Sequence, residues 1–117
     1  MVVDPVVIDR RVDAAGGAEV DLLVPPDLHY FQGHFAGTPV VPGVVQIKWA
    51  LGFARELLHT AGVFGGMEAL KFNQVLQPGA RATLKLGYTQ ASGKLRFSFE
   101  HDGARYSSGR ILLRGAP

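Results

Sequence analysis

Gly33-His34-Phe35, then Pro39-Val40-Val41-Pro42-Gly43 and the apolar run over 44–58, is the stretch on which the reading of this chain turns. It sets one histidine on a glycine-flanked loop just ahead of a helix N-terminus. A helix start leaves its first backbone N–H groups without intrahelical partners. An imidazole titrates close to neutrality and can take or give a proton there. A proton shuttle beside a set of amide donors is therefore expected. Lys48 falls in the first turns of the same helix, a full charge in a segment that otherwise reads as core.

Working outward, the Gly- and Pro-rich stretch 31–43 carries aromatic anchors beside it at Tyr30, Phe31 and Phe35. Three aromatics suit a structured loop rather than a flexible linker. The spacing predicts one long helix over roughly 43–61, with Val44, Val45, Ile47, Ala50, Leu51, Ala54, Leu57 and Leu58 spread around most of its circumference. Such a helix reads as buried, and Gly62 is placed to cap its end. Upstream, 6–14 and 18–24 read as strands about the turn Ala15-Gly16-Gly17. Pro25-Pro26 stops the second strand, and Asp27 is placed to cap a short helical turn through Tyr30. Downstream, strands are expected at 69–77, 82–90, 94–101 and 105–114, with turns at Pro78-Gly79, Ala91-Ser92-Gly93 and Asp102-Gly103. Leu95, Phe97 and Phe99 alternate with Lys94, Arg96, Ser98 and Glu100, so one face of that strand is wet and the sheet is antiparallel. The expectation is an α+β fold in a single domain, 1–117: about six antiparallel strands curled around one helix. Open edges and a half-covered helix predict pairing with a second copy, as a homodimer or higher even oligomer.

The bulk properties narrow the function classes. At 117 residues and 47% hydrophobic content the chain suits one compact domain with a real core. The absence of cysteine excludes a disulfide scaffold, a thiolate metal site and a cysteine nucleophile, and it fits a cytoplasmic setting. No basic start followed by an apolar run marks a signal peptide. The longest apolar segment is broken by Gln46, Lys48, Arg55 and Glu56, so no membrane span is expected. The net charge is +2. Arg81, Lys85, Lys94, Arg96, Arg105, Arg110 and Arg114 mostly fall at alternating strand positions, which suits a solvated sheet face or, alternatively, a dock for an acidic partner. No dense basic cluster or aromatic platform points to nucleic acid, and no ligand spacing points to a metal.

At this point the residues resemble a known family. The stretch His-Tyr-Phe-Gln-Gly-His-Phe-Ala-Gly-Thr-Pro-Val-Val-Pro-Gly-Val-Val-Gln (29–46) is similar to the active-site segment of the hot-dog-fold 3-hydroxyacyl-[acyl-carrier-protein] dehydratases of the FabZ and FabA type. Lys71-Phe72, Val75 and Pro78-Gly79 resemble the family's Lys-Phe…Pro-Gly-Asp strand and turn. Gln46-Ile47-Lys48-Trp49-Ala50 looks closest to the short stand-alone dehydratases of aryl-polyene gene clusters, the ApeI-like subgroup. The resemblance implies a hot-dog fold and dehydration of a 3-hydroxyacyl thioester borne by an acyl carrier protein, with no dissociable cofactor. His34 falls on the catalytic base and Gly43 on the glycine whose N–H accepts the thioester oxygen. Lys48 stands where the family has a Glu or Asp supplied across the dimer. Phe31, Gly33, Phe35, Val44 and Trp49 are the candidate substrate-binding residues. Ala36 and Ala80 are smaller departures, from the family's Pro and Asp.

Dehydration needs a base at the α-carbon, stabilisation of the enolate oxygen and an acid for the departing hydroxyl. Histidine suits the first task and a helix N-terminus the second. Each residue also has a plainer reading. His34 could simply brace the loop. Lys48 shares a helical stripe with Gly52, Arg55 and His59 and could be its solvated edge, or it could replace the acid. Asp27 and Glu56 are the nearest carboxylates, placed to cap a turn and to face solvent. Two rival functions follow: a non-catalytic acyl-thioester-binding subunit that needs a homologous partner, and a hot-dog acyl thioesterase.

Overall fold

The computed structural model describes residues 1–31 and 39–115. Among them the backbone forms strands β1 (Val6–Val12) and β2 (Gly17–Leu23), a single 3-10 turn at His29–Phe31, the helix α1 (Gly43–Leu58), and strands β3 (Val63–Phe72), β4 (Arg81–Thr89), β5 (Lys94–His101) and β6 (Ala104–Arg114). The strands make one sheet in the order β1-β2-β4-β5-β6-β3, antiparallel at every pairing. Helix α1 lies across its middle, against β2 and β4. This is the α+β hot-dog arrangement that the resemblance implies.

Alternation along the strands decides which face the helix covers. Ala18, Val20 and Leu22 of β2, Ala82, Leu84 and Leu86 of β4, Leu95, Phe97 and Phe99 of β5, and Ile111 and Leu113 of β6 are all buried. They close on Val45, Ile47, Trp49, Ala50 and Ala54 of α1. The turn between β5 and β6 is the tight kind that twisted hairpins favour, with positive φ at both Asp102 (49°) and Gly103 (78°).

Three expectations need correction. The helix ends at Leu58 rather than near 61, because His59 takes the left-handed conformation (φ 53°) expected of Gly62. Strand β3 starts at Val63 and ends at Phe72, where 69–77 was expected. Gly65-Gly66 breaks the alternation a strand should show, yet here it lies within the strand. Register shifts at Phe64/Gly66 and Glu68/Lys71, with positive φ at Gly66 and Ala69, mark irregular pairing with β6.

Helix α1 is also not buried nearly all round. Val44 is 73% exposed, and Lys48, Gly52, Arg55 and Glu56 are exposed with it. One sheet covers one face of one helix, and among the described residues the stripe through Val44, Lys48, Gly52 and Arg55 stays exposed. Strand β3 shows the same incompleteness: none of its ten residues is buried, and Val63, Phe64, Met67, Leu70 and Phe72 all expose apolar surface. No helix of the described residues is long and apolar enough to cross a membrane.

Candidate active site

Helix α1 begins behind a proline. Pro42 is the N-cap residue (φ −57°, ψ 146°) and supplies no side-chain cap. Its carbonyl accepts from the N–H groups of Val45 (3.0 Å) and Gln46 (3.2 Å). Among the described residues no backbone carbonyl accepts from Gly43 or Val44 N–H. Toward the described residues the helix start thus leaves these amide donors unengaged by backbone carbonyls, with the positive end of the macrodipole behind them. They adjoin a pocket of about 260 Å³ lined by Val40, Val41, Pro42, Gly43, Gln46 and the segment 72–75.

Phe72, from the end of β3, forms the wall of this pocket nearest the helix. A Cβ placed on Gly43 would come within 3.1 Å of three carbons of the Phe72 ring. Glycine fits there because of close approach rather than backbone conformation, and the atoms approached are the outer edge of a ring that can turn aside. The ring is still 49% exposed, so it borders the opening as well as packing on the helix.

Lys48 lies elsewhere. Five residues turn a helix by about 140° beyond a full turn, and Lys48 opens onto a separate groove of about 530 Å³ with Asp4, Arg10, Trp49 and Arg55. Among the described residues, Gly43 and Lys48 therefore line separate pockets. In this chain Lys48 is exposed on the stripe it shares with Gly52, Arg55 and His59. Trp49 is 4% exposed, and its indole N–H donates to the Val3 carbonyl at 3.1 Å, tying the N-terminal segment to the helix. Val44 projects outward at the helix start, and Phe31 packs half-buried against the core. His34, Gly33 and Phe35 lie outside the described residues.

The other carboxylates take plain roles. Glu56 is exposed and pairs with Arg10 at 3.4 Å. Asp27 is exposed at the turn that Leu28 N–H closes on the Pro25 carbonyl at 3.3 Å. The basic strand residues gather on the sheet face opposite the helix, where Lys71, Lys85, Arg96, Arg105 and Arg110 line a shallow concavity of about 460 Å³. Glu68 sits among them, its carboxyl held below the usual range by hydrogen bonds from Arg110 and Lys94.

Two features of the site escaped the sequence reading. One is the Phe72 wall, which depends on a contact between residues far apart in the chain. The other is a buried polar pair, Gln46 on α1 and Ser107 on β6, joined by a hydrogen bond of 2.7 Å. Its signal was present: Gln46 lies on the stripe that continues through Ala50 and Ala54, so a polar residue stood at a core position.

Comparison with known proteins identifies the family and the fold. The family model described as "ApeI-like: ApeI dehydratase" matches residues 10–110. A 3-hydroxyacyl-[acyl-carrier-protein] dehydratase FabZ from Ruminiclostridium cellulolyticum is 34% identical over 103 residues, 74% of this chain and 72% of that one. Among solved structures, the dehydratase heterocomplex ApeI:P from Xenorhabdus doucetiae contains a chain that superposes with a TM-score of 0.87 at 35% identity, covering 94% of this chain and 97% of that chain. An uncharacterised protein from Erwinia carotovora subsp. atroseptica superposes with a TM-score of 0.82 at 36% identity, covering 93% and 94%. Against FabZ proteins the aligned length varies, from 72% of the Ruminiclostridium relative to 50% of that from Erythrobacter litoralis.

Proposed function

The chain belongs to the ApeI-like dehydratase family, and on that premise we propose that it dehydrates a 3-hydroxyacyl thioester, carried by an acyl carrier protein, to the trans-2-enoyl product. In this reading His34 removes the proton from the carbon next to the thioester carbonyl. The electron pair left there becomes the C2–C3 double bond as the C3–O bond breaks. The hydroxyl leaves as water with a proton returned by the protonated His34, or given by an acid at position 48, which the base then replenishes. Gly43 N–H receives the charge that builds on the thioester oxygen. The observation that carries this is the uncapped helix start at Gly43, whose donors adjoin a pocket. Donors already oriented toward developing charge need no reorganisation during the reaction.

The reading includes an even oligomer. The wholly unburied strand β3 and the open face of α1 support it, since a paired edge would satisfy both. It would also let a second copy supply what one protomer keeps apart. A cytoplasmic site of action is part of the same proposal and is compatible with the cysteine-free sequence. Polyene-type or fatty acid synthesis is the metabolic setting that the relatives suggest. The basic outer face of the sheet supports docking of an acidic carrier.

A second reading has one specific observation in its favour. The solved dehydratase of Xenorhabdus doucetiae is a heterocomplex, and Lys48 stands where a carboxylate would serve as acid. The partner in that reading is a different hot-dog chain that brings the acid.

The test is enoyl-thioester formation from a 3-hydroxyacyl carrier-protein substrate by the purified chain, beside His34→Ala and Lys48→Ala. Wild-type turnover, with a loss on the order of 10²-fold or more in His34→Ala, is expected for a general base. A matching loss in Lys48→Ala makes the lysine a working residue, and full activity there makes it a bystander. Carrier binding without turnover, restored by a second hot-dog chain, turns the result to the heterocomplex. Release of free acid instead of enoyl product indicates a thioesterase.

A further inference from the structure

We propose that Gln46 and Ser107 form a buried positioning pair that sets the direction of the Gly43 N–H. The inference deepens the proposed function, because it rests on that N–H meeting the thioester oxygen.

Gln46 is 2% exposed and Ser107 is 0% exposed. The Gln46 amide nitrogen donates to the Val41 carbonyl at 3.1 Å, while its oxygen accepts from the Ser107 hydroxyl at 2.7 Å. The carbonyl of Val41 can only accept, so the amide must turn its NH₂ toward Val41 and its oxygen toward the serine. Ser107 lies on β6, and so refers the loop before the helix to the sheet.

The bonds around that loop converge on one peptide plane. Val41 N–H donates to the Leu76 carbonyl at 2.7 Å, and its carbonyl is held by Gln46. The Pro42 carbonyl accepts from Val45 and Gln46 N–H. Pro42 C=O and Gly43 N–H belong to one planar trans peptide and point in opposite directions. With Pro42 O turned into the first helical turn, Gly43 N–H is turned out of it. Gln46 acts on this arrangement twice, through its backbone N–H on Pro42 and through its side chain on Val41. Glycine, the residue least able to hold its own conformation, is thus fixed by its neighbours.

A purely structural role makes a different forecast. A buried polar pair replaced on both sides by apolar groups of similar shape is nearly neutral or stabilising. Positioning, in contrast, is lost whatever replaces it. The decisive variant is therefore Gln46→Met with Ser107→Ala in the same chain, beside Ser107→Ala alone, which leaves the amide oxygen unpaired. The double variant removes both members of the pair but leaves the Val41 carbonyl without its donor, so we expect a retained fold with a modestly lowered unfolding midpoint. Its kcat for enoyl formation should fall on the order of ten- to a hundredfold with KM little changed, the penalty of a misaimed group. The Gly43 amide resonance should move, and its backbone order parameter should drop.

The amide signal is read without turnover, which separates the two proposals. A displaced Gly43 signal in a double variant that stays folded supports positioning, even if the wild type forms no enoyl product and the dehydratase reading fails. An unchanged Gly43 signal, or full kcat in a stable double variant of an active wild type, overturns it.

Discussion

Gly43 illustrates how one missing side chain can serve both access and packing. The space its Cβ would fill belongs to the Phe72 ring, and the N–H it carries has no backbone acceptor among the described residues. Substituting Gly43→Ala should leave the fold nearly intact, since alanine is the better helix former and a half-exposed ring has room to swing. Enoyl formation should fall at least tenfold, on the order of the loss of a donor elsewhere, because ring and methyl then crowd the approach to the N–H. Adding Phe72→Ala should recover part of that loss. A thermal midpoint and a rate measured on both variants decide it, and full turnover in Gly43→Ala alone would exclude this N–H as the donor. Lys48 gives the complementary lesson. Its charge and helical phase are plain in the sequence, and the structure adds that within a protomer it faces away from Gly43.

At the scale of the element, the β1–β2 hairpin carries its own electrostatic lock. Asp21 accepts from the Arg11 guanidinium at 2.8 and 3.0 Å and from the Thr83 hydroxyl at 2.8 Å. Those hydrogen bonds, Arg11 foremost, hold its carboxyl at about 2. An acid whose folded pKa is depressed stabilises the fold above its ordinary range near 4, and that stabilisation is lost as pH falls through the folded value. The pair is partly exposed, so Asp21→Asn should lower stability at pH 7 by no more than about 1 kcal/mol. The gap from wild type, followed by urea midpoints, should stay constant down to about pH 5 and close toward pH 2. A gap that persists at pH 2 would assign it to something other than the charge. Strand β3 is the element the sequence concealed. Its glycines and bulges break the alternation that exposes β5 so clearly, and none of its apolar residues is buried, although Phe72 packs on Gly43.

For the whole molecule, two incomplete surfaces point to assembly: an edge strand with no buried residue and a helix with one bare face. Met67, 41% exposed on β3, is the place to test it. Met67→Arg sets a charge on the edge, the means by which sheet edges resist pairing, and should convert a dimer to monomers by light scattering while the circular dichroism of the fold persists. An unaltered mass would move the contact off β3.

What the sequence determined by itself is local. The strand alternation of Leu95, Phe97 and Phe99, the two-residue turn at Asp102-Gly103 and the helix start at Pro42-Gly43 each follow from residues within a few positions of one another, and periodicity and backbone sterics act at that range. The motif around His34 and Gly43 was legible for the same reason, as a short run with fixed spacing. Only the tertiary structure decided that Phe72 lies on Gly43, that Gln46 reaches Ser107 across 61 positions, and that Lys48 opens away from the helix start. Each depends on where one element comes to rest against another. That is set by closing the whole apolar layer between sheet and helix, a sum over many buried side chains that no short stretch of sequence contains.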